Sequence, residues 1–181
     1  MIDSDIKERP SVHNSKWVKR LPAIFFLGAI SYLFFRNQVY AAPKAVRLDT
    51  LHLQRLDGTE LDAADLKGKA VVLNFWAPWC PPCRLEMPWL QKLQTTHPEL
   101  KVVGVEDDAD EYGNAIDFAQ RAGISFLLVR NNQFVDDEFG RLPGLPTTLY
   151  LSPSGRVVHT ITGVVPEAVM EHLARDAERS R

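Results

Sequence analysis

Cys80 and Cys83 are the only cysteines in the chain, separated by two residues in the stretch LNFWAPWCPPCRLEMPWL, residues 73–90. Two thiols at this spacing serve as a structural crosslink, a metal clip or a redox couple. A crosslink spanning two residues closes a tiny loop and removes little entropy from the unfolded chain, so stabilisation is a poor reason for it. A structural zinc wants four ligands, and His13, His52, His97, His159 and His172 are scattered, with no second pair at ligand spacing. What fits is a dithiol that cycles with a disulfide, placed where a strand ends and a helix begins.

That placement assigns roles. Cys80 at the helix N-terminus, where unsatisfied amides and the dipole favour a thiolate, is expected to be the exposed attacking sulfur. Cys83, one turn in, is expected to resolve the mixed disulfide. Pro81 and Pro82 have no N–H to offer the Cys80 sulfur, and no histidine stands between the cysteines. The thiolate is then stabilised only modestly, which predicts a reducing couple.

The elements around the pair set this geometry. KAVVLNFWA reads as a strand buried on both faces, and Leu85, Trp89, Leu90 and Leu93 recur at helical spacing after it. LKVVGVE is a second buried strand, DEYGNAIDFAQRAG a helix, SFLLVR a short strand and NQFVDDEFG a short helix ending at Gly140. PTTLYLSPSGRVVHTITG gives two strands about a Ser-Pro-Ser-Gly turn, and Pro166-Glu167 opens a last helix. Upstream, TLHLQRLDGTEL signals a β-hairpin at its Asp-Gly turn. The order implies an α/β fold with a mixed sheet and helices on both faces.

The 181 residues carry a formal charge of −2, unevenly spread: residues 1–42 hold six Lys/Arg and three Asp/Glu, leaving 15 and 20 for the rest. The mildly acidic remainder has no basic stripe, which argues against nucleic acid. Residues 1–16 read as a polar cytoplasmic tail. Residues 17–42 read as a membrane anchor or signal segment: Leu21 to Phe35 is uncharged, with Lys16, Lys19 and Arg20 before it and only Arg36 close behind. That bias keeps the N-terminus in the cytoplasm and sends residues 43–181 across the membrane, where disulfides persist. Cleavage near Val39-Tyr40-Ala41, releasing the domain, is the second reading.

NFWAPWCPPC, with Pro88 five residues after the second cysteine and GLPTT far downstream, resembles the thioredoxin superfamily over roughly residues 48–175. The hydrophobic N-terminal segment, the insertion EDDADEYGNAIDFAQRAGISFLLVR and Asn74, standing where cytosolic thioredoxins carry a buried aspartate, resemble its membrane-anchored TlpA/ResA/CcmG-like branch. The resemblance implies a thioredoxin-like sheet preceded by one hydrophobic helix, and a cis-proline at Pro146 facing the disulfide. Leu145 would present backbone groups to a substrate strand, followed by Thr147, with Trp79 as a partly exposed wall. It places a pKa-tuning acid at Glu86, three residues beyond Cys83; the other reading of Glu86 is a solvated glutamate pairing with Arg84 or Lys92. It also implies protein substrates with cysteine pairs, such as apocytochrome c or copper-site cysteines, a membrane electron donor, a periplasmic domain on a bacterial inner membrane, and no cofactor or metal.

The residues leave other readings of the acids and of the cysteine pair. Glu106, at the carboxyl end of KVVGVE, is a second candidate site acid, since sites in α/β sheets gather at that edge; the reading preferred is a solvated loop acid beside Asp107 and Asp108. A calcium loop from Asp108 fails because Tyr112 and Ala119 fall on ligand positions. A related-fold peroxidase is disfavoured by Ala77, three before Cys80, and a disulfide-forming oxidase by the Pro-Pro pair. A copper(I) chaperone using Cys80, Cys83 and Met87 as soft ligands remains the alternative of a different class.

Overall fold

The computed structural model describes residues 42–108 and 112–180. The tail and the hydrophobic segment up to residue 41, where the anchor or signal was expected, lie outside them. Among the described residues no helix is long and apolar enough to cross a membrane.

The centre of the fold is β1 (Val71–Trp76), in which all six residues are buried. Such a run has no polar alternation because both of its faces are covered. It pairs in parallel with β2 (Lys101–Glu106) and antiparallel with β4 (Thr147–Leu151). Outside these lie β3 (Leu127–Arg130), parallel to β2, and β5 (Val157–Thr162), antiparallel to β4. The sheet order is β3-β2-β1-β4-β5, a mixed thioredoxin-like sheet. The helices are α1 (Pro81–Thr96), α2 (Tyr112–Arg121), α3 (Gln133–Phe139) and α4 (Glu167–Arg179).

The two-residue period of the strands sorts the core into two layers. Val72, Trp76, Val102 and Tyr150 pack with Cys83, Met87 and Leu90 of α1 and Met170, Ala174 and Ala177 of α4. Val71, Leu73, Phe75, Val105 and Leu149 pack with Leu51, Leu53 and Leu61 of the N-terminal segment and Val135 and Phe139 of α3. Asn74 lies between Val72 and Trp76 in register, so it shares the α1 face, fully buried. The buried stripe of α1 is Cys83, Glu86, Met87, Leu90 and Leu93. Leu85 is off that stripe and 58% exposed, contrary to its place in the expected apolar face: the face is set by Cys83 at the helix start, and Leu85 falls two positions from it. The helix continues through Pro88.

The expected N-terminal hairpin is present as a turn with single bridges rather than two strands. Gly58 takes φ +89°, Arg55 N donates to Thr59 O at 2.7 Å, and Gln54 bridges Glu60. Its first arm runs along the outer edge of β3, with Arg55 bridging Val129 and Leu56 N bonded to Leu128 O. That contact covers an edge otherwise open to another chain. The insertion expected between the second strand and the proline loop supplies α2 and β3.

Candidate functional site

β1 delivers the cysteines. The chain leaves it at Trp76 and makes a turn in which Cys80 N donates to Ala77 O at 3.2 Å. Cys80 then takes the N-cap position of α1 in extended conformation (φ −84°, ψ 106°), with prolines at the next two positions. Proline is tolerated there because the first helical amides have no intrahelical partner. Of the amides that could reach the cap, only Cys83 N remains, and it donates to Cys80 Sγ at 3.3 Å. The two sulfurs form a disulfide, S–S 2.05 Å, with Cα atoms 5.3 Å apart.

Cys80 is only 3% exposed and Cys83 not at all. The sequence predicts an open attacking sulfur; Cys80 instead packs in the α1-side core with Trp76 and Ala77. Pro81 and Pro82 beside it are exposed, as is Trp79 at 61%. Trp79 Nε1 donates to Asp108 Oδ2 at 2.6 Å, which ties the indole to the loop after β2.

Glu86 is 1% exposed. Its Oε1 accepts from Asn74 Nδ2 at 2.7 Å, and the same nitrogen donates to Thr148 Oγ1 at 2.9 Å. Asn74 and Thr148 are cross-strand partners of β1 and β4, so the sheet register presents both to α1. Burial pushes the Glu86 carboxyl up from 4.5 to about 7, against the opposing effect of the Asn74 bond. Tyr150, next on the same face of β4, has its phenol raised by burial and by the nearby Glu86. Asn74 Oδ1 and Tyr150 Oη have no hydrogen-bond partner among the described residues. The solvated reading of Glu86 therefore fails: Lys92 bonds Glu167 at 2.6 Å, and the Arg84 guanidinium lies 5.2 Å from the Phe118 ring centroid.

The proline loop arrives from the other side. The Leu145–Pro146 peptide is cis, Pro146 is buried and Leu145 half-buried. Because Phe75 pairs with Thr147, the proline stands level with Trp76, where the cysteine loop departs. Thr147 is wholly buried; its hydroxyl donates to Gly144 O at 2.7 Å and meets Thr162 Oγ1 at 3.2 Å, so its side chain secures the loop.

The solvated reading of Glu106 is also corrected. It is the last residue of β2, fully buried, held between Trp76 and Arg130 by parallel register, and its Oε1 accepts from Asp108 N at 3.1 Å. Burial raises the Asp107 carboxyl from its ordinary value, against the opposing bond from Asn131 Nδ2, with the nearby Asp136 and Asp108 adding to the rise. Met87, the third soft ligand of the copper reading, is fully buried in the α1-side core with Cys83. Among the described residues no group of three His, Cys, Asp or Glu could hold a metal. Thr148 and Tyr150 went unnoticed in the sequence, although their period-two spacing in TTLYL was readable; pairing with Asn74 depends on antiparallel register, which the sequence does not specify.

A buried cysteine pair capping a helix against a cis-proline loop defines a thioredoxin-like thiol-disulfide oxidoreductase. The chain belongs to the Redoxin family, whose model matches residues 40–176. It is 34% identical to thiol-disulfide oxidoreductase ResA of Halalkalibacterium halodurans over 80% of this chain and 85% of that one. With ResA of Bacillus subtilis it shares 31% identity over 81% and 84%. A crystal structure of a thiol:disulfide interchange protein of the thioredoxin family from Chlorobium tepidum superposes with TM-score 0.61 at 26% identity, covering 73% of this chain and 97% of that one. The protein is a ResA/CcmG-like member of the thioredoxin superfamily.

Proposed function

We propose that residues 43–181 form an extracytoplasmic domain that reduces disulfides in protein substrates, tethered to a bacterial inner membrane by residues 17–42 with residues 1–16 in the cytoplasm. The observation that carries the direction is the cap: one amide, Cys83 N, reaches Cys80 Sγ, and the two positions between are prolines. A poorly stabilised thiolate makes the dithiol the better electron donor.

In the reduced protein the Cys80 thiolate attacks a substrate disulfide. A Cys80–substrate S–S bond forms, the substrate S–S bond breaks, and the released substrate thiolate takes a proton. Cys83 then gives up its proton and attacks Cys80 Sγ; the Cys80–Cys83 bond forms, the mixed disulfide breaks, and the second substrate thiolate is protonated. Two electrons and two protons pass to the substrate, and a dithiol protein donor at the membrane restores the pair. Glu86, one turn beyond Cys83, is the positioning acid that receives the Cys83 proton; a group near neutrality suits that exchange. Leu145 and Pro146 with Trp79 flank the substrate strand, and Thr147 holds that loop. The expected substrate class is cysteine pairs of cytochrome c maturation or metalloprotein assembly.

Two measurements test this. Equilibration of the full chain with glutathione is expected to give a potential well below the roughly −120 mV of strongly oxidising relatives of this fold; a value near that figure refutes the direction. A Cys83→Ser variant is expected to hold substrates on Cys80 as mixed disulfides in cells.

A further inference from the structure

Beside the cysteine pair, a cavity of about 230 Å³ is lined by Pro78, Trp79, Arg84, Asn114, Phe118 and Arg121. Trp79 immediately precedes Cys80 and Arg84 immediately follows Cys83, so the cavity borders the reactive segment by chain connectivity. Arg84 N donates to Cys80 O at 3.1 Å, which fixes its backbone to the cap. Its guanidinium lies over the Phe118 ring, 5.2 Å from the centroid. Trp79, which also lines the cavity, donates to Asp108 Oδ2 at 2.6 Å. Arg121 closes the last turn of α2.

Neither Arg84 nor Arg121 has a carboxylate within ion-pair distance among the described residues, while Arg47, Lys92 and Arg175 do. Two arginines without an ion pair among the described residues thus line one concavity of a domain in which Asp and Glu outnumber Lys and Arg, 20 to 15, over residues 43–181. Like charges held together favour an anion between them. Guanidinium forks match a carboxylate in two-pronged geometry, and the ring beneath Arg84 sets its plane. A cavity of this volume takes one side chain rather than a cofactor, since cofactor and drug sites start at about 300 Å³.

We infer that this cavity is a specificity subsite that takes an Asp or Glu side chain of the substrate protein, a few residues from the cysteine that joins Cys80. The inference rests on the reductase reading and names its substrate class more closely: disulfides flanked by acidic residues.

The test uses the full chain, reduced, with peptide disulfides that differ only in one residue beside the cysteine: Glu, Gln or Lys. The neutral hydroxyethyl disulfide serves as a substrate without a flank. At low salt the Glu peptide is expected to show a kcat/KM about tenfold above the Lys peptide, a difference of about 1.4 kcal/mol, collapsing in 1 M salt where charges are screened beyond about 3 Å. Arg84→Gln and Arg121→Gln are each expected to cut that preference about threefold; Arg179→Gln, at the end of α4, keeps it. Equal rates for the three peptides, or a preference that survives both arginine substitutions, overturns the subsite while hydroxyethyl disulfide reduction leaves the reductase reading standing. Failure to reduce hydroxyethyl disulfide overturns both.

Discussion

Glu86→Gln separates a buried titrating acid from a merely polar core residue, and its effect on stability has a defined pH window. Burial lifts the folded-state carboxyl from 4.5 to about 7. At about 1.4 kcal/mol per pH unit, that separation is worth about 3 kcal/mol. The sign follows from proton counting. Between pH 4.5 and 7 the unfolded chain has released the Glu86 proton while the folded one holds it, so stability falls as pH rises through that window and is flat on either side. The substituted amide keeps an oxygen for Asn74 Nδ2 and does not titrate. The unfolding free energy of the variant minus that of the parent is therefore expected to grow by about 3 kcal/mol from pH 4.5 to pH 7.5. Urea unfolding of both oxidised proteins reads this as a midpoint gap that widens by roughly 1–3 M, given slopes of about 1–3 kcal/mol per molar. The intact disulfide keeps the thiols from titrating, and every other group cancels between the two proteins. A gap that stays constant with pH, or widens only above pH 8, refutes the assignment.

The same substitution in the reduced protein removes a carboxylate one turn from Cys83, so the Cys83 thiol is expected to titrate lower; alkylation rates followed against pH check it. Pro82→Ala returns an amide at the second helical position, within reach of the cap. The Cys80 thiol is expected to fall by about one pH unit, about 1.4 kcal/mol, and the couple to become roughly 30 mV more oxidising; an unchanged thiolate absorbance titration counts against the prolines. Gly104→Ala places a Cβ 2.7 Å from Leu128 Cδ2 and 3.1 Å from Trp76 Nε1. In a packed sheet this is expected to cost about 1–3 kcal/mol, read as a lower denaturation midpoint with the disulfide intact.

The fold was legible where covalent pattern and burial coincide. KAVVLNFWA announced a strand covered on both faces, and the Pro-Pro dipeptide after Cys80 fixed the helix start by the same logic that withholds amides from the sulfur. Legibility failed where a side chain's fate is decided by a neighbour distant in sequence. Leu85 looked like core because it is leucine at helical spacing; the helix face was set instead by Cys83 and Met87. Glu106 looked solvated because acids follow it, but parallel pairing buries the last residue of β2 between two neighbours. The Glu86 environment needed three elements at once: α1, β1 through Asn74 and β4 through Thr148 and Tyr150. Only the first two were visible as a sequence anomaly, the missing aspartate at position 74.

That anomaly acquires a physical meaning in the fold. Asn74 turns its single donor nitrogen to Glu86 and Thr148 and leaves Oδ1 without a partner among the described residues, and Tyr150 Oη is equally unpaired there. The ionised carboxylate is thus given one donor where water would supply several, and that deficit holds its proton near neutrality. A leucine or methionine in the same stripe would carry no such penalty, and about 3 kcal/mol is a substantial part of the roughly 5–15 kcal/mol that holds a domain together. Relative to thioredoxins with a buried strand aspartate, the acid has moved to the cysteine helix, on the side of the resolving sulfur. The fold loses stability over pH 4.5 to about 7, while folded Glu86 still holds its proton, and the loss ends where Glu86 ionises and, on the proposed mechanism, can accept the Cys83 proton. One ionisation governs both, so on the proposed mechanism the pH at which resolution accelerates must coincide with the pH at which the loss of stability levels off.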